Sequence, residues 1–101
     1  LIINNHHLGL VRQQQNLFYH KHYIASEFIF NPEFKTIAEG FGIKGYDLSG
    51  ESDPLGKLTE LLAEVGPAVI NIPINEYENI YPMVAPGAAN TEMIGGLHQH
   101  D

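Results

Sequence analysis

The chain has 101 residues, a length that suits one domain, and carries five Lys and Arg residues against twelve Asp and Glu residues. Its formal charge of −7 argues against nucleic acid and against an anionic membrane as partners, because both present phosphates that need a cationic face. The absence of Cys excludes disulfides and zinc–thiolate sites, and no apolar run is long enough to span a bilayer. We therefore expect a cytoplasmic protein.

The first third of the chain predicts a strand followed by a helix. Residues 1–3 are apolar without alternation, which is typical of a parallel-sheet strand that is buried on both faces. Apolar residues at both ends of a polar middle predict a helix over residues 8–20. The aromatic-rich residues 21–30 have no clean period, and we expect them to form a connection that packs on the sheet.

A second helix is predicted to begin near Asn31. Asn is a favoured N-cap, Pro32 suits the first helical position, and Glu33 complements the positive end of a helix. Four apolar residues then recur with helical spacing: Phe34, Ile37, Ala38 and Phe41. We expect Gly40 and Gly42 to end this helix.

Strand and helix patterns then alternate. Residues 43–48 can form a short strand, and the Asp-Pro pair at 53–54 repeats the helix-start signal. One apolar stripe follows: Leu55, Leu58, Leu61, Leu62 and Val65. The Gly-Pro pair at 66–67 ends this helix, and residues 68–72 form another continuous apolar strand. This alternation of strands and helices predicts an α/β domain with a parallel sheet.

Four polar residues follow the first predicted strand: Asn4, Asn5, His6 and His7. Ligands of open parallel sheets bind beyond the carboxyl ends of the strands, and the start of the next helix favours phosphate. The amide oxygen of Asn and a backbone carbonyl are suitable ligands for Mg²⁺. The pattern alone leaves open the alternative that Asn4 and Asn5 only cap the helix and turn the chain.

The remaining histidines give weaker metal signals. His20 and His22 are expected at the surface or in an interface. His98, His100 and Asp101 could chelate a transition metal, but we expect no dedicated site there because chain termini are usually mobile.

Three motifs carry a resemblance to a known family: INN-x-x-LG-x-V-x-Q-x-Q-x-LFY, NP-x-F-x-x-IAE-x-FGIKGY and YPM-V-x-PGAAN-x-EMI. Together they resemble the C-terminal part of the large catalytic subunit of acetolactate synthase (acetohydroxyacid synthase), within the thiamine-diphosphate-dependent family. The resemblance runs from residue 1 to about residue 96. Because Leu1 is also an unusual first residue, we expect the chain to be a piece of a longer protein.

The resemblance implies the C-terminal portion of a three-layer, parallel-sheet thiamine-diphosphate-binding fold. Residues 1–75 would be a partial, pyrophosphate-side domain, and residues 76–101 an ordered tail or lid. It further implies that the Asn5 side-chain oxygen and the His7 carbonyl bind Mg²⁺. The family's Gly-Asp-Gly motif is not in this chain, so the implied magnesium site is half of a complete one.

Further site residues follow from the same resemblance. Three residues would line the turn over the diphosphate: Leu8, Gly9 and Leu10. Two would face the substrate channel from the following helix, namely Val11 and Gln14. A Trp stands at the position of Gln14 in many family members, so we expect a weaker preference for the larger acceptor 2-oxobutyrate. Three would contact the substrate from the tail: Met83, Pro86 and Gly87.

The implied activity is that of a carboligase in branched-chain amino-acid biosynthesis. It condenses two pyruvates, or pyruvate and 2-oxobutyrate, to 2-acetolactate or 2-aceto-2-hydroxybutyrate with loss of CO2. The resemblance also implies an FAD held outside this chain, a homodimer or homotetramer, and a small regulatory subunit. No catalytic residue is expected here, since the family's activating Glu comes from another domain, and this chain alone should be inactive.

Two alternatives remain. One is a non-catalytic binding or assembly module with the same fold. The other is a different thiamine-diphosphate enzyme, such as an FAD-independent catabolic acetolactate synthase, against which the PGAAN tail argues.

Overall fold

A computed structural model describes residues 1–95 of the chain. The predicted metal-chelating group at residues 98–101 lies outside the described residues. Within them the elements are β1 (Ile2–Asn4), α1 (Gly9–Phe18), α2 (Phe34–Gly40), β2 (Lys44–Asp47), α3 (Pro54–Leu62), β3 (Ala68–Pro73), β4 (Met83–Val84) and β5 (Met93–Ile94).

The first three strands of the chain form one parallel sheet in the order β1-β3-β2. In register, Ile2 lies opposite Asn71, and Asp47 lies opposite the same residue from the other side. All three strands therefore point their carboxyl ends the same way, and the residues that follow them meet at one edge of the sheet. The predicted α/β class with a parallel sheet is confirmed.

The helices α2 and α3 cover opposite faces of this sheet. Side chains of α3 pack on a small core made by Leu48, Leu61 and Ile70. The α2 backbone lies against Gly45 on the other face, so close that a Cβ at Gly45 would come within 2.4 Å of the Lys35 carbonyl oxygen. Because side chains alternate along β2, these contacts lie on different faces. The three-layer arrangement that the sequence predicts is present.

The helix-start signals of α2 and α3 have different outcomes. The Asp53 carboxylate accepts a hydrogen bond from the Gly56 N–H at 3.1 Å, and α3 begins at Pro54 as predicted. The predicted N-cap at Asn31 is wrong: α2 begins at Phe34, and its N-cap, Glu33, makes no side-chain capping bond. The Asn31 amide instead donates to the side-chain oxygen of Asn4, at the end of β1, and lies close to the His6 ring, which draws it away from the helix.

Much of the predicted apolar surface is not covered within the described residues. In α3, Leu55 and Leu62 are exposed, and Val65 beyond it is 94% exposed. In α2, Ile37 and Phe41 are also exposed. A sheet of three strands is too narrow to bury a full helix stripe on each face, so the pattern predicts the helices correctly but overstates the core.

The connection over residues 21–30 does not pack on the sheet, which corrects the prediction. Its hydrogen bonds go to the residues after β1: the Leu8 N–H donates to the Ser26 carbonyl at 2.7 Å, and the Phe28 N–H donates to the His6 carbonyl at 2.9 Å. Three of its apolar side chains point to solvent: Ile24, Ile29 and Phe30. The Leu8 N–H and the His6 carbonyl need hydrogen-bond partners, and the segment lies where it supplies them.

No helix within residues 1–95 combines the length and the apolar character that a bilayer crossing requires.

Candidate functional site

The site is built around the turn of residues 5–8, which joins β1 to α1 at the carboxyl edge of the sheet. The Asn4 side-chain oxygen accepts the His6 N–H at 3.1 Å, and the Asn5 side-chain oxygen accepts the His7 N–H at 3.2 Å. His6 has a positive φ of 60°, and these two bonds support the sharp bend. Neither Asn caps α1, whose N-cap is Leu8 without a side-chain bond. The capping alternative is therefore wrong, although both residues do turn the chain.

A row of polar side chains crosses the sheet below this turn. The buried Asn4 amide donates to the Asn71 side-chain oxygen at 3.1 Å, and the Asn71 amide donates to Asp47 at 3.3 Å. The Asn31 amide donates to the Asn4 oxygen at 2.9 Å and lies 3.2 Å from the His6 ring. The buried side chains of this row, Asn4 and Asn71, thus both find hydrogen-bond partners, which holds the turn in one position.

Three members of this row were not predicted as site residues from the sequence: Asn31, Asp47 and Asn71. The signal for Asn71 was present, since it is the one polar residue inside the apolar strand β3. The pKa of the Asp47 carboxyl is lowered, first because the Ser49 hydroxyl and backbone N–H donate to it, at 2.6 and 2.8 Å. Asp47 is therefore ionised at neutral pH and accepts hydrogen bonds from Ser49 and Asn71.

The predicted metal ligands fit Mg²⁺ in the chemistry of their donors. Asn5 offers a side-chain oxygen with one lone pair left beside its bond to the His7 N–H. Among residues 1–95 the backbone hydrogen bonds of the turn use the His6 and Leu8 carbonyls but not the His7 carbonyl. No group of three or more His, Asp or Glu residues that could hold a metal occurs in the same range. Two oxygen donors of this turn are therefore of the type that a hard cation such as Mg²⁺ prefers.

Gly9 is the residue that makes room for Asn5. A Cβ at Gly9 would lie 2.7 Å from the Asn5 side-chain nitrogen, closer than a carbon can approach. Any other residue would push the Asn5 amide out of its present orientation. Its neighbours Leu8 and Leu10 are exposed, so apolar surface borders the turn on both sides.

A cleft of about 420 Å³ opens beside the turn. Its lining residues are His7, Arg12, Tyr23, Ala25, Ser26, Glu27, Ile29, Glu76 and Tyr77. The Arg12 guanidinium lies between the Tyr23 and Tyr77 rings, 4.9 and 4.8 Å from their centres. Among the described residues no carboxylate pairs with Arg12, so the two rings stabilise its charge.

Other groups of this cleft are also polar. The His7 Nδ1 atom lies 2.9 Å from the Asn5 carbonyl oxygen and 3.8 Å from the Glu76 carboxylate. The same carboxylate, which bonds to the Tyr77 hydroxyl, raises the pKa of Tyr77. The buried Ser26 hydroxyl has no hydrogen-bond partner within residues 1–95.

The predicted channel residues do not all meet. Val11 and Gln14 are exposed on α1 and line a common groove of about 470 Å³. Met83 lies on the buried side of the same helix, where its sulfur is 3.0 Å from the Gln13 amide nitrogen. Pro86 and Gly87 lie in an exposed turn that the Ala88 N–H closes onto the Ala85 carbonyl. The structure thus brings Val11 and Gln14 together in one groove. Met83 lies on the other side of α1, and Pro86 and Gly87 lie in the exposed turn.

Gln13, which was also not predicted as a site residue, has the most buried side chain of α1. Its amide nitrogen donates to the Ile80 carbonyl at 2.7 Å, and its amide oxygen accepts the Ile80 N–H at 2.8 Å. It thereby ties residues 76–95, called here the tail segment, to the helix that follows the turn. A run of three Gln in an amphipathic helix gave no sign of which one would be buried.

Comparison with known proteins gives one family. Residues 1–72 match the family described as thiamine pyrophosphate enzyme, C-terminal TPP binding domain. The chain is similar to the acetolactate synthase isozyme 1 large subunit of Escherichia coli K12, with 47% identity over 95 residues, which cover 94% of this chain and 17% of that protein.

Two further relatives agree. The chain is 36% identical to the isozyme 2 large subunit of the same bacterium over 97 residues, which are 96% of this chain and 18% of the relative. It is 40% identical to the acetolactate synthase large subunit of Porphyra purpurea over 96 residues, which are 94% and 16% of the two chains. The chain thus spans about one sixth of the length of these curated relatives.

Proposed function

This chain belongs to the thiamine pyrophosphate enzyme family, as part of the C-terminal TPP-binding domain, and we propose that it is the C-terminal part of an acetolactate synthase large subunit. The reaction is the condensation of two pyruvates, or of pyruvate and 2-oxobutyrate, with loss of CO2. The observation that carries the proposal is the turn of residues 5–8, which lies at the carboxyl edge of a parallel sheet and contains the Asn5 side-chain oxygen and the His7 carbonyl.

The turn acts as one half of a magnesium and diphosphate site. Asn5 contributes its side-chain oxygen and His7 its carbonyl, while Leu8, Gly9 and Leu10 border the diphosphate. Thiamine diphosphate, when bound, supplies the carbon nucleophile that the reaction needs. The role of this chain is to hold and orient that cofactor, and the other half of the metal site lies in a different part of the enzyme.

The tail segment serves as the lid of the site. Its contacts with α1 through Gln13 and Arg12 support this role, because α1 directly follows the turn. Val11 and Gln14 line the substrate channel from the helix. Met83, Pro86 and Gly87 do so from the lid, whose closure excludes water from the reaction.

We propose the following further partners for this enzyme. They are the rest of a catalytic subunit, a second or further copies of it in a homodimer or homotetramer, a small regulatory subunit and an FAD bound outside this chain. The enzyme works in the cytoplasm on 2-oxo acids. The exposed apolar stripes of α2 and α3 support the presence of further covering structure.

A chimera tests the proposal. The large subunit of Escherichia coli isozyme 1 receives this chain in place of its own matching segment, and 2-acetolactate formed from pyruvate is measured. We expect activity in the chimera, and its loss when Asn5→Ala removes the side-chain metal ligand. The matched control is Asn16→Ala, which removes only an exposed bond to the Tyr23 hydroxyl.

Two outcomes would contradict the proposal. One is an assembled chimera that binds thiamine diphosphate with Mg²⁺ and forms no 2-acetolactate, which would favour a binding or assembly module. The other is full activity of the Asn5→Ala variant, which would remove the turn from the metal site.

A further inference from the structure

Gln13 holds the tail segment with both polar atoms of its side-chain amide. Its side-chain amide pairs with both backbone groups of Ile80, at 2.8 Å to the N–H and 2.7 Å to the carbonyl. The same amide nitrogen lies 3.0 Å from the Met83 sulfur. The Gln13 amide thus pairs with both backbone groups of Ile80, as a neighbouring strand would, although the two residues are 67 positions apart in sequence.

Little else fastens this part of the tail segment. Ile80 and Tyr77 are 63% and 67% exposed, so their side chains contribute little apolar burial. The other contact with α1 is the Arg12 guanidinium under the Tyr77 ring. Glu76, in the same segment, lies 3.8 Å from the His7 ring. Among these contacts of the described residues, the Gln13 contact is the one that holds main-chain atoms of the tail segment.

The chemistry of the contact requires Gln. Glu has the same shape, but its carboxylate would set a negative oxygen against the Ile80 carbonyl. Met has a similar length and lacks both hydrogen-bonding atoms, while Asn is one methylene too short to reach. Since Ile80 is 63% exposed, we expect water to replace Gln13 as the partner of its backbone groups, so losing the contact should release the segment without unfolding the chain.

We propose that Gln13 is a positioning residue that sets how tightly the lid closes over the reacting centre, and so decides whether a second 2-oxo acid or water is used. This inference rests on the proposed function. Val11 and Gln14 lie on the exposed side of α1 and Gln13 on its buried side, so Gln13 sets how closely the tail segment lies against the helix that carries these two proposed channel residues.

The consequence is a change of product. With the lid held, two pyruvates and one proton give 2-acetolactate and CO2. With the lid loosened, water supplies a proton in place of the acceptor, and one pyruvate and one proton give acetaldehyde and CO2. The acetaldehyde-to-acetolactate ratio therefore reports lid closure independently of the total rate.

The first experiment measures the contact in this chain by hydrogen exchange of the Ile80 amide. We expect Gln13→Met to lower its protection by about tenfold, the loss of one hydrogen bond, and Asn16→Ala to leave it unchanged. Gln13→Glu should lose protection at neutral pH and regain it at acidic pH, where the carboxylic acid again donates. Unchanged protection in Gln13→Met would overturn the proposal.

The second experiment measures products in the chimera described above. We expect Gln13→Met and Gln13→Glu to raise the acetaldehyde-to-acetolactate ratio by about tenfold and to raise the acceptor KM more than they lower kcat. Asn16→Ala should leave both unchanged. An unchanged ratio in a variant that has lost Ile80 protection would overturn the positioning role.

The two failures can be told apart. If the unsubstituted chimera forms neither product, the proposed function falls and this inference falls with it. If it forms 2-acetolactate and the Gln13 variants keep the same product ratio, only this inference falls.

Discussion

The close approach of α2 to Gly45 allows a quantitative prediction for Gly45→Ala. The added methyl carbon would lie 2.4 Å from the Lys35 carbonyl oxygen and 2.8 Å from the Lys35 Cα, where ordinary contacts begin at 3.4 Å. Both atoms belong to the helix backbone, so no side chain can rotate away. The whole of α2 must retreat from the sheet by about 1 Å to restore van der Waals contact.

The expected cost follows from known magnitudes. Inserting a methyl group into a closely packed contact costs roughly 1–3 kcal/mol. Replacing Gly by Ala also restricts the unfolded chain, which returns about 0.4–1 kcal/mol where the backbone allows it. We therefore expect Gly45→Ala to lower the free energy of unfolding by about 1–2 kcal/mol, with a fall in Tm of about 4–8 °C for each kcal/mol.

Gly40→Ala is the matched control, since Gly40 ends α2 and a Cβ there would meet no atom within 4 Å. It should raise stability by about 0.5–1 kcal/mol, as Ala does inside a helix. Thermal and urea unfolding of the chain, followed by circular dichroism, measure both variants. A Gly45→Ala protein that unfolds at or above the wild-type temperature would refute the packing of α2 on β2.

Three further substitutions test the site. Asn5→Ala should weaken magnesium-dependent binding of thiamine diphosphate at least about tenfold, measured by calorimetry on the chimera; unchanged affinity would count against the metal site. Ser49→Ala should raise the lowered pKa of Asp47, seen by NMR titration. Folding lowers the pKa of Asp47, so its ionised carboxylate stabilises the fold at pH values above its unfolded pKa of about 3.9. This stabilisation is lost as the pH falls through the folded pKa. Ser49→Ala should make the loss of stability at acidic pH smaller. Asn31→Ala should cost about 1 kcal/mol in urea unfolding, against almost none for the exposed Thr36→Ala; equal effects would refute the bridging role of Asn31.

Local signals predicted the elements well where the information is short-range. The Asp-Pro start of α3 is such a case, because the capping bond joins residues three apart. The strand β3 is another, since six consecutive residues define its pattern. The turn from Asn5 to His7 was also predictable, because it is closed by a bond between residues two apart.

The positions of Asn31, Asn71 and Gln13 could not be predicted in this way. Asn31 could cap α2 locally, but its side-chain amide instead donates a hydrogen bond to Asn4, which is 27 positions away in sequence. Gln13 and Gln14 are chemically identical neighbours, yet one is buried against Ile80 and the other lines an open groove. Nothing in their sequence context separates them.

By itself, then, the sequence determined the order of strands and helices, the parallel sheet and the Asn-rich turn at its carboxyl edge. Those features depend on periodicity and on turns closed within a few residues. Only the tertiary structure decided which polar side chains are buried, how Gly45 admits α2, and how the tail segment is tied to α1. These depend on pairing between groups far apart in the chain, and a buried polar group takes whichever partner the fold brings within hydrogen-bonding distance.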